Sequence, residues 1–193
     1  MTLHPLVSRA AEGSLPEWAV AGDPRRAHMA RVAELMAAWA DGLGLDAAAR
    51  TRWVAAAHLH DALRDEDPAL LRGTVPPAER TLPDEVLHGP AAAERIRVEG
   101  VLDGELLLAV GWHTLGDPRF GALGRALYVA DFLEPGRTYL PEWRAELRGR
   151  MPDALDDVAL EVARARMGRG LERGAPLQAR SVDFWNVLVR EAA

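Results

Sequence analysis

The chain contains no cysteine and no lysine, and β-branched alternating runs are scarce along its 193 residues. Without cysteine, disulfides, thiolate zinc sites and a cysteine nucleophile are excluded, so any metal must rest on His, Asp and Glu. Without lysine, all 23 basic residues are arginines, a usage that a GC-rich genome is enough to produce. Recognition of phosphate then falls to guanidinium forks. The apolar stretches are short. LLLAVGW at 106–112, among the longest, is far too short to span a bilayer, so no membrane partner is expected. The first residues, MTLHPLVSRAAEG, lack a basic start followed by an apolar core and a small-residue cleavage site, and the expected location is cytoplasmic. A net charge of -6 supplies no dominant basic face, so nucleic acid is not an expected partner.

What is there is helical periodicity. Length and apolar content predict one all-α domain able to bury a real core, residues 23–193, preceded by an N-terminal helical extension, 1–22. Asp23-Pro24 predicts a helix start with Asp23 as cap. From there His28, Val32, Leu35 and Trp39 recur at i, i+4, i+7 and i+11, which puts the histidine on the buried stripe. GLGLD at 42–46 is a stop followed by an Asp cap. The next helix runs through Trp53, Ala56, Ala57 and His60, and adjacent His60 and Asp61 diverge by about 100° around its axis, so both reach one point beyond its end. His58 points elsewhere.

Residues 68–84, rich in proline, read as an irregular connection with a short helix. His88 precedes Gly89 and Pro90 at a helix start, Asp103 caps the following helix, and His113 ends its apolar stripe. Leu123, Leu127 and Asp131 are spaced by four, which places a carboxylate on a buried face, costly unless paired, hydrogen-bonded or bound to metal. The stretch 153–173 and a Ser181-capped helix complete the predicted bundle.

His28, His60, Asp61, His88, His113 and Asp131 thus give four imidazoles and two carboxylates from five helical elements. Imidazole and carboxylate suit iron, manganese, nickel or zinc, and six such ligands are too many for one catalytic ion that must keep open positions. Two ions bridged by a shared carboxylate would use all six. The alternative at each position is a core histidine or a salt-bridged aspartate.

The order H…HD…H…H…D resembles that of the HD-domain metal phosphohydrolases, and LHGPAAA, WHTLGDP and YVADFLEPGR resemble the YqeK subfamily of symmetrical diadenosine tetraphosphate hydrolases, over residues 25 to 190. The resemblance implies an HD-domain helical bundle around a dinuclear site of two divalent ions, iron by family, with manganese or another transition metal as alternatives. It implies that His28, His60 and Asp131 hold one ion, that His88 and His113 hold the other, and that Asp61 bridges. Arg64 stands where the family carries Lys three residues after the HD aspartate, and Arg125 where it carries Lys six before the last ligand. These two, with Arg137 of the EPGR turn and Thr114 beside His113, are the expected phosphate contacts, and Asp61 and Arg64 the expected catalytic pair.

The implied reaction is hydrolysis of a phosphoanhydride in a nucleoside polyphosphate, diadenosine tetraphosphate to two ADP, by a metal-bound hydroxide. Alternatives are another HD-type phosphohydrolase acting on nucleoside monophosphates, deoxynucleotides or guanosine tetraphosphate, or a catalytically silent nucleotide-binding module. A homodimer is left open, with Trp18, Trp143 and Trp185 as side chains that would pack internally or against a partner.

Overall fold

A computed structural model describes residues 3–192, and among these every regular element is a helix. Ten α-helices follow one another: α1 (Pro5–Ala11), α2 (Asp23–Gly42), α3 (Ala47–Leu59), α4 (Pro68–Thr74), α5 (His88–Val98), α6 (Gly104–Trp112), α7 (Ala122–Leu133), α8 (Pro141–Gly149), α9 (Leu155–Glu172) and α10 (Ala179–Glu191). Local chemistry sets many of the boundaries. Asp46, Asp67 and Asp103 each accept a backbone N–H of the turn they open, starting α3, α4 and α6. After α2 the chain turns at Gly44, whose φ of +64° favours a residue without Cβ.

Helix α7 is the axis of the bundle. Every residue from Leu123 to Leu133 except Arg125 is buried, the signature of a helix enclosed on all sides. It packs against α2, α3, α6, α8 and α9, while α1 lies on α3 and α5 pairs with α6. Each fully buried leucine of this helix, such as Leu123 and Leu127, contributes about 1.5–3 kcal/mol by leaving water. The side chains of Leu6, Val7 and Ala10 in α1 join the same core. Trp18, Trp143 and Trp185 are half-buried against it. No helix of the described residues is long and apolar enough to cross a membrane.

Three local expectations are corrected. Gly22, not Asp23, is the cap of α2, and Asp23 sits in the first turn, where its charge still favours the helix N-terminus. Helix α10 starts at Ala179 behind Gln178, so Ser181 lies inside its first turn and donates its hydroxyl to Leu115 O instead of capping. Helix α8 was not anticipated; Pro141 in its first turn and Leu147 on its buried side are its local signals.

Gly89 lets α5 approach α6. A Cβ there would stand 2.7 Å from Gly111 O and 3.1 Å from Val110 O, both backbone atoms that cannot swing aside. Gly89→Ala is therefore expected to destabilise the protein by about 1–3 kcal/mol, the usual cost of overpacking. Urea denaturation checks this, and an unchanged midpoint would show that the helices separate freely.

Candidate metal centre

The six residues singled out in the sequence converge. His28 lies on the inner face of α2, His60 is the C-cap of α3 with Asp61 next in the turn, His88 opens α5, His113 is the C-cap of α6, and Asp131 lies in the last turns of α7. All six are buried. The Asp61 carboxylate stands between two imidazole pairs. Its Oδ2 is 3.7 Å from His28 Nε2 and 3.6 Å from His60 Nε2, while its Oδ1 is 3.1 Å from His88 Nε2 and 3.5 Å from His113 Nε2. Asp131 Oδ1 lies 3.2 Å from His28 Nε2. Two ligand triads are compact enough to hold an ion: His28, His60 and Asp131, and His60, Asp61 and His113.

The ring tautomers follow from what each Nδ1 touches. His60 Nδ1 is 2.7 Å from Ala57 O and His113 Nδ1 is 2.8 Å from Val110 O. A carbonyl only accepts, so both Nδ1 atoms carry the proton and both Nε2 lone pairs face the cluster. Glu134 Oε1, 3.2 Å from His28 Nδ1, turns that ring the same way. The result is a set of inward lone pairs without enough donors. Nε2 of His28 and of His60 are buried and lack any hydrogen-bond partner, and the Nε2 atoms of His88 and His113 lie 3.1 Å apart. Such a donor set fits divalent cations and is poorly satisfied by anything else at hand.

Burial pushes the His60 imidazole down to about 4, so the ring is neutral at pH 7, as a metal ligand must be. His88 is also lowered, chiefly by burial. For Asp61 burial acts upward, but His60, His113 and His88 hold the carboxyl well below the usual range. Asp131 is likewise held well below it against burial, by His28, Arg166, His60 and Arg137. Both carboxylates are therefore anions at neutral pH.

A cavity of about 640 Å³ opens beside Asp131. Thr114 and Arg137 line it. Thr114 Oγ1 lies 3.1 Å from His113 Nε2, and Arg137 Nη2 is 2.8 Å from Asp131 Oδ1. Arg64 has no ion-pair partner among the described residues, and its charge reaches His88. Neither Arg64 nor Arg125 lines this cavity. Arg125 is engaged elsewhere. Its guanidinium is held by Asp156 at 2.7 Å and by Glu191 at 2.6 Å. His58 faces Gly13, away from the cluster.

Three residues were not anticipated. Glu134 orients His28 and is itself held by Arg31 at 2.5 Å and by the N–H of Gly136 at 2.7 Å. Arg25 Nη1 reaches Asp61 Oδ2 at 2.6 Å. Arg166 of α9 binds Asp131 Oδ2 at 2.9 Å. Arg25 stands one turn before His28 on α2, and Glu134 one turn after Asp131 past the end of α7. That spacing was a usable signal for these two, whereas nothing local marked Arg166.

Residues 25–158 match the HD domain family. The chain belongs to that family. Among curated relatives, the symmetrical bis(5'-nucleosyl)-tetraphosphatase of Halalkalibacterium halodurans is 39% identical over 57 residues, 29% of this chain and 30% of that protein. The enzyme of the same name from Staphylococcus aureus is 40% identical over 55 residues, 28% of each chain. These matches thus span less than a third of the relatives' length. A crystal structure of a predicted HD superfamily hydrolase involved in NAD metabolism, from Clostridium acetobutylicum, superposes with a TM-score of 0.78 over 95% of this chain and 96% of that one, at 21% identity. At that identity the likeness shows a shared HD fold.

Burial of His60 ties the stability of the metal-free protein to pH. A group lowered from 6.5 to about 4 contributes fully above 6.5 and loses its contribution as the pH falls toward 4. The loss from this ring is about 3 kcal/mol at 1.36 kcal/mol per unit. Denaturant titrations of chelator-treated protein between pH 7 and 4 should show that decline. A flat profile would mean the ring titrates as an exposed histidine.

Proposed function

We propose that this HD-domain protein is a metal-dependent nucleotide phosphohydrolase, and that its substrate is a dinucleoside polyphosphate, diadenosine tetraphosphate, cleaved symmetrically to two ADP. The observation that carries the reading is the placement of Asp61, one oxygen toward each of two imidazole pairs, beside an arginine-lined cavity. The names of the tetraphosphatase relatives support the finer substrate assignment. On this reading His28, His60 and Asp131 hold one divalent ion, His88 and His113 hold a second, and Asp61 is shared. Iron is the proposed metal, by resemblance to the family. When bound, such a pair acidifies a shared water and neutralises phosphoryl oxygens.

The protein's own groups supply the rest. Glu134 keeps the Nδ1 proton of His28 in place and its Nε2 directed inward, and the carbonyls of Ala57 and Val110 do the same for His60 and His113. Arg137 and Thr114 line the cavity beside the cluster, where a phosphate chain would accept from their donors. Arg64, free of carboxylate partners among the described residues, offers a further guanidinium on the His88 side. Fixed donors of this kind stabilise the charge that develops on the departing phosphate without reorganising at the moment of reaction.

Purified with iron or manganese, the protein is expected to release ADP from diadenosine tetraphosphate. Asp61→Ala should lower turnover by at least a thousandfold, since both imidazole pairs lose their common anion, and chelation should do the same until metal is restored. Product chromatography over a panel including nucleoside monophosphates, deoxynucleotides and guanosine tetraphosphate checks the substrate. Robust ADP release by the alanine variant would sink the site assignment.

A further inference from the structure

The cavity wall carries more positive charge than the carboxylate of Asp131 matches. Arg137, Arg144, Arg166, Arg169 and Arg173 line it, against only two acids, Glu85 and Asp131. Asp131 is already matched by Arg137 at 2.8 Å and Arg166 at 2.9 Å. Arg144, Arg169 and Arg173 have no carboxylate within ion-pair distance among the described residues. Arg144 is buried, and its guanidinium donates to backbone carbonyls of Phe132 and Tyr139. Burial and the proximity of Arg137, Arg169 and Arg166 push it down to about 10. Like charges gathered around a cavity and left unmatched by the fold indicate that an anion completes the site.

The geometry of α9 gives that anion a shape. Arg166, Arg169 and Arg173 recur at i, i+3 and i+7, one face of a helix, and span about 10 Å at 1.5 Å per residue. Arg166 fixes the inner end. It donates to Thr114 O at 2.8 Å and stacks 4.4 Å over the Tyr128 ring, which leaves it beside Asp131 at the edge of the metal cluster. Arg169 stacks 4.5 Å over Tyr139, a half-exposed ring on the cavity wall. Arg173 closes the helix at its C-cap. A single phosphate would engage one end of this row, whereas an extended chain of phosphates would run along it.

We propose that Arg169 and Arg173, in line with Arg166, form a second phosphate subsite that holds the part of a polyphosphate chain remote from the metal cluster and so selects long chains over mono- and diphosphates. This deepens the phosphohydrolase reading and rests on it for its catalytic consequence. The ligand chemistry is a linear polyphosphate of three or more phosphates, inorganic or nucleoside-capped. Arg169 and Arg173 act by binding, each through charge-assisted hydrogen bonds and a contribution that salt weakens.

Calorimetry on chelator-treated, full-length protein tests the subsite without any turnover. Inorganic tripolyphosphate is expected to bind at least tenfold more tightly than orthophosphate. Arg169→Ala/Arg173→Ala should cost tripolyphosphate tenfold or more while changing orthophosphate less than twofold, and Arg169→Lys/Arg173→Lys should recover part of the loss. Should the double variant fail to fold, Arg173→Ala at the exposed C-cap is expected to show about a threefold loss. Equal binding of the two anions by the wild type, or unchanged tripolyphosphate affinity in the folded variants, would overturn the proposal.

With metal restored, the double alanine variant should raise KM for diadenosine tetraphosphate with little change in kcat. Absence of all hydrolysis in the wild type would count against the proposed function alone, because the calorimetric result stands by itself. Tighter binding of diadenosine tetraphosphate than of tripolyphosphate would identify the nucleoside-capped chain as the ligand; the reverse order would identify the bare chain.

Discussion

The buried Asp61 carboxylate imposes the main constraint on this protein. An anion sealed from water between four imidazole nitrogens needs positive charge within reach, and among the described residues Arg25 is the one permanent cation paired with it, bound to one of its two oxygens. The other oxygen faces His88 and His113, at least one of which presents a lone pair. Neutral rings cannot balance the charge, and burial keeps His60 neutral. The cluster therefore has the chemistry of a cation-binding set, and the surrounding helices hold its members in place.

How the helices end explains why they can do so. His60 and His113 are both C-caps, and each Nδ1 is tied to the carbonyl three residues back in its own last turn. That one contact fixes the tautomer and the direction of the ring, and it also places the imidazole at the negative end of a helix, where a cation is favoured. Helix α7 passes through the middle with an almost wholly apolar surface, so Asp131 stands among residues that offer it nothing; its partners come from α2, the turn after α7, and α9.

Much of this was legible because it is encoded at helical spacing. His28 and Asp131 fall on apolar stripes, and His60 and His113 on the last turns of such stripes, so periodicity alone predicted that polar groups would point inward together. Caps such as Asp46 and Asp103 were equally local. What could not be read were contacts between elements distant in the chain. Arg166 meets Asp131 across 35 residues, and nothing around it distinguishes it from the other arginines of α9. The contacts of Arg125 were equally distant in the chain. Its position matched a family lysine, but Asp156 and Glu191, brought in by α9 and α10, bind its charge. Ser181 has the composition of a cap, yet the helix begins earlier because Gln178 already has the extended backbone of a cap residue and Leu115 O takes the hydroxyl.

The two halves of the cluster are not equivalent. On the α2 and α7 side, Asp131 adds a second carboxylate to the share of Asp61, and Glu134 places a third anion on the far nitrogen of His28. On the α5 and α6 side, Asp61 is the only carboxylate against the two rings among the described residues; His113 is completed by Thr114 and the Val110 carbonyl, both uncharged, while Nδ1 of His88 is buried without a hydrogen-bond partner. Coulombic attraction falls off slowly inside a protein, so an ion on the first side meets a more negative field. Arg137 and Arg166 offset part of that excess from the cavity side. The same two arginines line the cavity, so the charge that balances Asp131 within the fold is continuous with the arginine row of α9.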